Sequence, residues 1–182
     1  MKNLTLTLLV FGLIIGITGC HKHKPCPPPE KCPPVKESIA IGLVVSDLTN
    51  SSNFYQNVMD MEPDGNVIPI DSSLSKQFGI ADGKPFTITV LKRKNEPAAV
   101  VLKLVSFKDV NPRPELSGIG QQAGINYLTF YYDAAGFTSM LEKTKSQPYF
   151  VSGPVSTEYY QVFYLKDPDG IILEMFGPPA SK

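Results

Sequence analysis

The sequence predicts an α+β domain built from two βαβββ modules within residues 38–182. Three observations support this prediction. Apolar and β-branched runs with period-two alternation, typical of strands, are interrupted by segments in which apolar residues recur at helical spacing. The order strand, helix, strand, strand, strand occurs twice. In each copy an aspartate, Asp47 or Asp133, follows the first strand, where it is suited to cap the helix.

The first module is predicted over residues 38–108. Its helix runs from Ser51 to Asp60, with Asp47 or Thr49 as the N-cap residue. The helix is expected to bury Phe54, Tyr55, Val58 and Met59. The strands are expected at residues 38–47, 66–70, 85–92 and 98–107.

The second module is predicted over residues 124–178, after a polar linker rich in proline and glycine at 109–123. Its helix spans residues 134–145 and turns Phe137, Met140 and Leu141 inward. The strands are expected at residues 124–132, 149–152, 159–165 and 171–176. An Asp-Pro-Asp-Gly turn at 167–170 precedes the last strand.

The first nineteen residues resemble a bacterial lipoprotein signal peptide. Lys2 provides a basic start, residues 4–17 are apolar, and Gly19 precedes Cys20. The apolar stretch is short for a transmembrane helix. The resemblance implies cleavage before Cys20 and a membrane anchor of acyl chains on this cysteine. The mature protein is therefore expected in the cell envelope, with the outer membrane, facing the periplasm, favoured in a Gram-negative organism because His21 and not aspartate follows the cysteine.

Residues 20–37 form a tether with six prolines, a composition that favours an extended spacer over a folded core. A disulfide between Cys26 and Cys32 stays open as an alternative in an oxidising envelope. His21 and His23 also suggest a metal cluster with these cysteines, but nothing in a proline-rich segment orders such a site.

Composition excludes several functions for the domain. From residue 38 onward there is no histidine and no cysteine, which excludes a Ser-His-Asp triad and a catalytic thiol. The same segment carries twelve Lys and Arg against fifteen Asp and Glu and has no basic run. A nucleic-acid partner is therefore not expected.

Two motifs resemble the vicinal oxygen chelate superfamily, which contains glyoxalases, extradiol dioxygenases and bleomycin-resistance proteins. Residues 43–61 (LVVSDLTNSSNFYQNVMDM) are similar to the opening strand and helix of these modules. Residues 165–175 (LKDPDGIILEM) are similar to the closing hairpin, whose last strand carries a glutamate. The resemblance covers about residues 38–178 and implies that two βαβββ modules form an incomplete eight-stranded barrel around a cleft.

The resemblance also implies four metal-ligand positions, which fall on Ala40, Lys103, Asn126 and Glu174; a shift of one residue replaces Asn126 with Tyr127. Only Glu174 keeps a typical ligand type, and a lysine opposes a cation. No metal and no cofactor are therefore expected. Lys103 and Glu174 hold matching places in the two modules, so we expect them to face each other across the cleft.

The favoured interpretation is metal-independent binding of a small molecule in the barrel cleft. The candidate ligand-binding residues are Lys103, Asn126, Leu128, Phe130, Tyr132 and Glu174, the middle four being linked by strand alternation. The bleomycin-resistance relatives form their cleft between two subunits, so a homodimer is expected by resemblance.

Two alternatives stay open. The first is a glyoxalase-like lyase, isomerase or dioxygenase in which Glu174 is the catalytic base, although the loss of the metal ligands argues against an enzyme. The second is an envelope interaction module that contacts another protein through residues 109–122 and 152–158.

Overall fold

The computed structural model describes residues 39–180, except 95, 97–99, 112, 115–119 and 122. The described residues belong to one compact unit that spans Ser38–Lys182. The predicted signal peptide, Cys20 and the tether lie outside the described residues. Within the described part of the chain, no helix has the length and apolar character needed to cross a membrane.

The first module is a five-stranded sheet with two helices. Its elements are β1 (Ala40–Val44), α1 (Leu48–Asn57), β2 (Met61–Pro63), β3 (Ile68–Ile70), α2 (Ser72–Phe78), β4 (Phe86–Arg93) and β5 (Val101–Phe107). The strand order is β1-β5-β4-β2, and β3 also pairs with β4. Strand β1 runs parallel to β5, and the other pairs are antiparallel.

Two elements of this module were not predicted. Strand β2 has only three residues and ends at Pro63, so it shows no alternation to detect. Helix α2 is short and polar, and its signals are local: Asp71 caps its N-terminus by accepting from the Leu74 backbone N–H, and Gly79 ends it with φ of 69°. A left-handed residue at this place favours glycine.

The second module repeats the first with four strands. Its elements are β6 (Tyr127–Tyr131), α3 (Ala134–Thr144), β7 (Phe150–Ser156), β8 (Gln161–Lys166) and β9 (Ile172–Gly177). The order is β6-β9-β8-β7, with β6 parallel to β9. Strand β7 continues to Ser156 past Pro154, through a register shift against β8. Because β7 is an edge strand, it accommodates the proline, and most of the predicted contact segment 152–158 is strand.

Both predicted aspartate caps are present. The Asp47 carboxylate accepts from the Asn50 backbone N–H at 2.9 Å, and the Asp133 carboxylate accepts from the Gly136 backbone N–H at 2.7 Å. Each cap satisfies an amide that has no partner inside its helix. The repeated strand–aspartate–helix pattern therefore marks the same structural junction in both modules.

A single hydrophobic core joins the modules through their helix-bearing faces. In module one, Tyr55 on α1 belongs to the same buried cluster as Leu104 on β5, and in module two Phe137 and Met175 join it. Phe54 on α1 also packs edge-to-face on Tyr149 of the second module, at 5.4 Å between ring centroids. The predicted α+β fold of two modules is confirmed. The two sheets do not pair with each other, so they do not close into a barrel.

The Asp-Pro-Asp-Gly turn of module two is bonded to α1 and the residues before it. The buried Tyr55 hydroxyl donates to Asp167 Oδ2 at 2.8 Å. Asp169 accepts from the Ser46 backbone N–H at 2.9 Å and from the Ser51 hydroxyl at 3.0 Å. The two carboxylates thus connect the modules with directed hydrogen bonds in addition to apolar contacts.

Candidate functional site

Glu174 is held by two hydroxyl groups on the face of the second sheet that lies opposite α3. It pairs with Thr129 on one side and Tyr164 on the other. The Thr129 hydroxyl donates to Oε2 at 2.7 Å, and the Tyr164 hydroxyl donates to Oε1 at 3.1 Å. Each carboxylate oxygen therefore has one fixed donor, and its other acceptor sites remain for a ligand.

Tyr164 stays protonated beside this carboxylate. Burial, followed by its hydrogen bond to Glu174, raises the pKa of Tyr164 above the ordinary 10.0. A protonated hydroxyl is a donor, so Tyr164 can hold its hydrogen bond to the Glu174 side chain. The carboxylate is thereby oriented before any ligand arrives.

Aromatic rings surround the carboxylate. Phe176 stacks on Tyr160 at 4.9 Å between centroids and contacts Tyr131 at 5.4 Å. Tyr127 is 49% exposed and Tyr131 is 70% exposed, so these rings face solvent and not the core. We call this surface the Glu174 face; it consists of Tyr127, Thr129, Tyr131, Tyr160, Tyr164, Glu174 and Phe176.

Lys103 occupies the corresponding place in module one. It is the third residue of β5, as Glu174 is of β9, and it pairs with Gly42 and Val90. Its side chain is exposed, whereas its neighbours Leu102 and Leu104 are buried in the core. We call the surface of Lys103, Val90, Val101 and Val105 the Lys103 face.

Within one chain the two faces do not meet. Both lie opposite the helix-bearing surfaces that share the core. Among the described residues, no ion pair joins Lys103 to Glu174. The expected Lys–Glu contact across a cleft is therefore absent within this chain.

The other predicted residues do not share the Glu174 face. Leu128, Phe130 and Tyr132 pack against the core, because they alternate with Thr129 on β6. The side-chain oxygen of Asn126 accepts from Arg113 in the segment before β6. The resemblance allowed Asn126 or Tyr127 as the third position, and Tyr127 is the one whose side chain lies on the same face of the sheet as Glu174.

Sequence reasoning placed Tyr164 only in the aromatic surface near the cleft and did not name Thr129; it missed that these two residues hold Glu174. Neither belongs to the four ligand positions of the superfamily. In the run YLTFYY at 127–132, Thr129 is the one residue that is neither aromatic nor apolar. Thr129 pairs with Glu174 four residues before Asp133, whereas Gly42 pairs with Lys103 five residues before Asp47, so assuming equal spacing in both modules favoured Asn126 over Tyr127.

The residues at the four superfamily positions do not fit a metal ion. Ala40 has no donor atom, and the described residue beside Glu174 on the same face is a threonine that donates to it. Among the described residues, no group of three His, Cys, Asp or Glu side chains lies close enough to hold a metal. The donor set around Glu174 instead suits a hydrogen-bonding organic ligand.

Solved structures similar to this chain are glyoxalase-type proteins. A glyoxalase family protein from Bacillus cereus has a TM-score of 0.65 at 12% identity, over 80% of this chain and 95% of that one. A glyoxalase/dioxygenase from Nostoc punctiforme has a TM-score of 0.52 at 20% identity, over 80% and 92%. A glyoxylase/bleomycin resistance protein/dioxygenase domain from Frankia sp. EAN1pec has a TM-score of 0.50 at 18% identity, over 79% and 92%.

No protein-family model and no curated protein matches the sequence. At identities of 12% to 20%, the structural likenesses establish the fold alone. The chain has the fold of glyoxalase-type proteins, as the two sequence motifs predicted. Its activity must be argued from the site, because one fold hosts many functions.

Proposed function

We propose that the protein binds a small organic molecule without a metal, on the Glu174 face. The observation that carries this proposal is a carboxylate oriented by two hydroxyl groups and surrounded by partly exposed aromatic rings. Aromatic faces attract cations, and an oriented carboxylate accepts strong hydrogen bonds from N–H donors. The ligand class that fits is therefore a planar organic molecule with an ammonium or N–H group.

Binding of a matched pair of dyes tests this proposal. 9-Aminoacridine is planar, is cationic at pH 7 and has N–H donors, whereas acridine has the same ring system and is neutral at pH 7. We expect fluorescence titrations of the full chain to show tighter binding of the cation. Glu174→Gln is expected to weaken it about ten-fold, since hydrogen bonds to charged groups contribute about 1.5–3 kcal/mol.

Glu142 provides a matched control, because its exposed carboxylate on α3 pairs only with Lys145 among the described residues. Glu142→Gln should leave dye binding unchanged. Equal affinity for the two dyes, or unchanged binding in Glu174→Gln, would contradict the proposal.

We further propose that the site is completed by the Lys103 face of a second copy in a homodimer. The two faces have matching positions in equivalent modules and carry opposite charges, and their apolar side chains are partly or largely exposed, from the half-buried Val105 to Tyr131 at 70%. Opposite charges at corresponding positions favour pairing between copies. Each dimer would then contain two equivalent clefts.

Charge reversal tests this arrangement. Lys103→Glu and Glu174→Lys chains each place like charges together in a homodimer, whereas a one-to-one mixture forms heterodimers in which both clefts pair opposite charges. Native mass spectrometry should therefore show a wild-type dimer, weakened homodimers of each variant, and a restored heterodimer. A monomeric wild type, or variant homodimers as abundant as the wild-type dimer, would overturn the arrangement while leaving the dye experiment interpretable.

We also propose that the mature protein is anchored in the cell envelope through acyl chains on Cys20. Support comes from the sequence, where Gly19 and Cys20 follow an apolar segment with a basic start. Mass spectrometry of the mature N-terminal peptide should show Cys20 first, with added acyl mass. Cys20→Ala should lose that mass and Cys26→Ala should keep it. An unmodified Cys20 in the wild type would refute the anchor.

A further inference from the structure

A cavity of about 910 Å³ lies beside β6, between the two modules, and is lined by residues of both faces of that strand. Its volume falls in the range of small-molecule sites, about 300–1,000 Å³. Its apolar walls come from both modules: Ile41, Met61, Leu102, Leu128, Phe130 and Met140. Three residues predicted from the sequence to bind ligand, Leu128, Phe130 and Tyr132, line this cavity and not the Glu174 face.

The hydroxyl of Tyr132 is an unpaired donor in this cavity. It is buried and has no hydrogen-bond partner among the described residues. Burial raises the pKa of Tyr132 to about 12, despite the opposing effect of Arg93. The hydroxyl therefore remains protonated at neutral pH. Buried hydroxyls are nearly always hydrogen-bonded, so this donor calls for an acceptor oxygen.

Arg93 adds a positive charge beside that hydroxyl. Its guanidinium lies 4.6 Å from the centroid of the Tyr132 ring, and Nη1 donates to the Tyr131 carbonyl at 3.1 Å. These contacts fix the guanidinium while leaving other N–H donors for a ligand, since arginine has five. No ion pair joins Arg93 to a carboxylate within the described part of the chain.

The acidic residues that line the cavity have other partners or lie exposed. Asp60 pairs with Lys143 at 2.9 Å, and Asp133 caps α3. Lys94 and Glu96 are exposed and contribute one charge of each sign. The six charged lining residues thus sum to zero, and Arg93 is a basic residue among them that has no ion pair with a carboxylate in the described part of the chain.

We propose that this cavity is a second binding site, which takes a small apolar monocarboxylate. The carboxylate would accept from the Tyr132 hydroxyl and the Arg93 guanidinium, and the apolar body would pack on Leu128 and Met140. The proposed contacts of this site, Tyr132 and Arg93, are not part of the Glu174 face, although Thr129 and Tyr131 of that face also border the cavity. The cavity site also takes the opposite charge.

Methionine methyl NMR locates binding in this cavity. Two of the five methionines, Met61 and Met140, line it, whereas Met175 lies in the core and is not among its lining residues. We expect 3-phenylpropionate, titrated into the full chain labelled with ¹³C at methionine methyl groups, to shift Met61 and Met140 saturably. The matched alcohol 3-phenylpropanol should bind at least about ten-fold more weakly, because it lacks the charge.

Three variants define the contacts. Tyr132→Phe and Arg93→Gln should each weaken 3-phenylpropionate binding about ten-fold, and Arg93→Lys should retain part of the affinity by keeping the charge. Tyr127→Phe removes a hydroxyl from the Glu174 face and should have no effect. An unchanged Met175 signal shows that each variant is folded.

The proposal is overturned if Met61 and Met140 do not shift, if the alcohol binds as well as the carboxylate, or if folded Tyr132→Phe and Arg93→Gln bind like wild type. None of these results bears on the dye experiment, because Glu174 is not among the residues that line the cavity. Failure of the cavity site and failure of the Glu174 site are therefore distinguishable.

Discussion

The hydrogen bond between Tyr55 and Asp167 is expected to be a main polar contribution to the contact between the modules. Tyr55 is fully buried in α1, and its hydroxyl donates to Asp167 Oδ2 at 2.8 Å. The other carboxylate oxygen of Asp167 already accepts from the backbone N–H groups of Asp169 and Ile171. Tyr55→Phe removes one oxygen atom and leaves the ring in the core, so it tests this bond alone.

The expected loss of stability follows from the burial of both partners. An average intramolecular hydrogen bond contributes about 1 kcal/mol, and a buried acceptor left without its donor adds about 1–3 kcal/mol. Asp167 is only 4% exposed, so water cannot easily replace the hydroxyl. We expect Tyr55→Phe to lower the free energy of unfolding by about 2–3 kcal/mol, which lowers Tm by roughly 5–10 °C for a domain of this size.

Urea denaturation followed by circular dichroism measures this change. Tyr131→Phe is the control, because that tyrosine is 70% exposed; its stability should stay within about 0.5 kcal/mol of wild type. A double-mutant cycle with Asp167→Asn isolates the coupling of the two groups. If Tyr55→Phe is as stable as Tyr131→Phe, the bond does not stabilise the contact between modules, and the reasoning fails.

Three further predictions concern single residues. Burial raises the pKa of Asp167 above its ordinary 3.8, so protonation of this carboxyl stabilises the folded state. The stabilisation is complete below the ordinary pKa and is lost as pH rises through the raised pKa. In urea titrations between pH 3 and 7, Asp167→Asn should abolish this part of the dependence of stability on pH. Gly177→Ala places a Cβ 2.6 Å from the Phe137 ring and should cost about 1–3 kcal/mol in the same assay, whereas Gly42→Ala meets nothing within 4 Å and should not destabilise; equal effects would refute the packing argument. Asp47→Ala removes the cap of α1 and should lower stability by about 1 kcal/mol, an effect that Asp47→Ser should largely reverse.

The elements that the sequence predicted well have two local signals at once, a capping residue and a regular spacing of apolar residues. Helix α3 begins after a capping aspartate and carries apolar residues at helical spacing, and its observed span of Ala134–Thr144 is within one residue of the expected range. Helix α1 begins three residues earlier than expected, since Asp47 and not Thr49 caps it. Strand β2 and helix α2 were missed because three residues, or seven of which only Leu74 and Phe78 are apolar, are too few to establish a period.

The orientation of the site residues was harder to predict, for a physical reason. Strand β6 is apolar or aromatic at four of five positions, because one face packs on the core and the other carries the aromatic rings around Glu174. A strand with apolar residues on both faces has no hydrophobic alternation. The ligand position on β6 was placed by its distance from Asp133, and the hydrophobic pattern gave no independent check on which residues share a face. Leu128, Phe130 and Tyr132 were therefore assigned to the face of Glu174.

A sequence repeat also does not show how the two modules pack against each other. Two βαβββ modules can pack through their open sheet faces, which would bring Lys103 to Glu174 within one chain, or through their helices. Here the helices are used, and the reason is visible in the turn before β9: its two carboxylates bond to Tyr55 and to Ser51, both on the buried side of α1. Because those bonds commit the helix faces to the core, the charged open faces are left for contacts outside the chain. A cleft that contains both charges therefore requires two copies, whereas the cavity beside Tyr132 is complete in one.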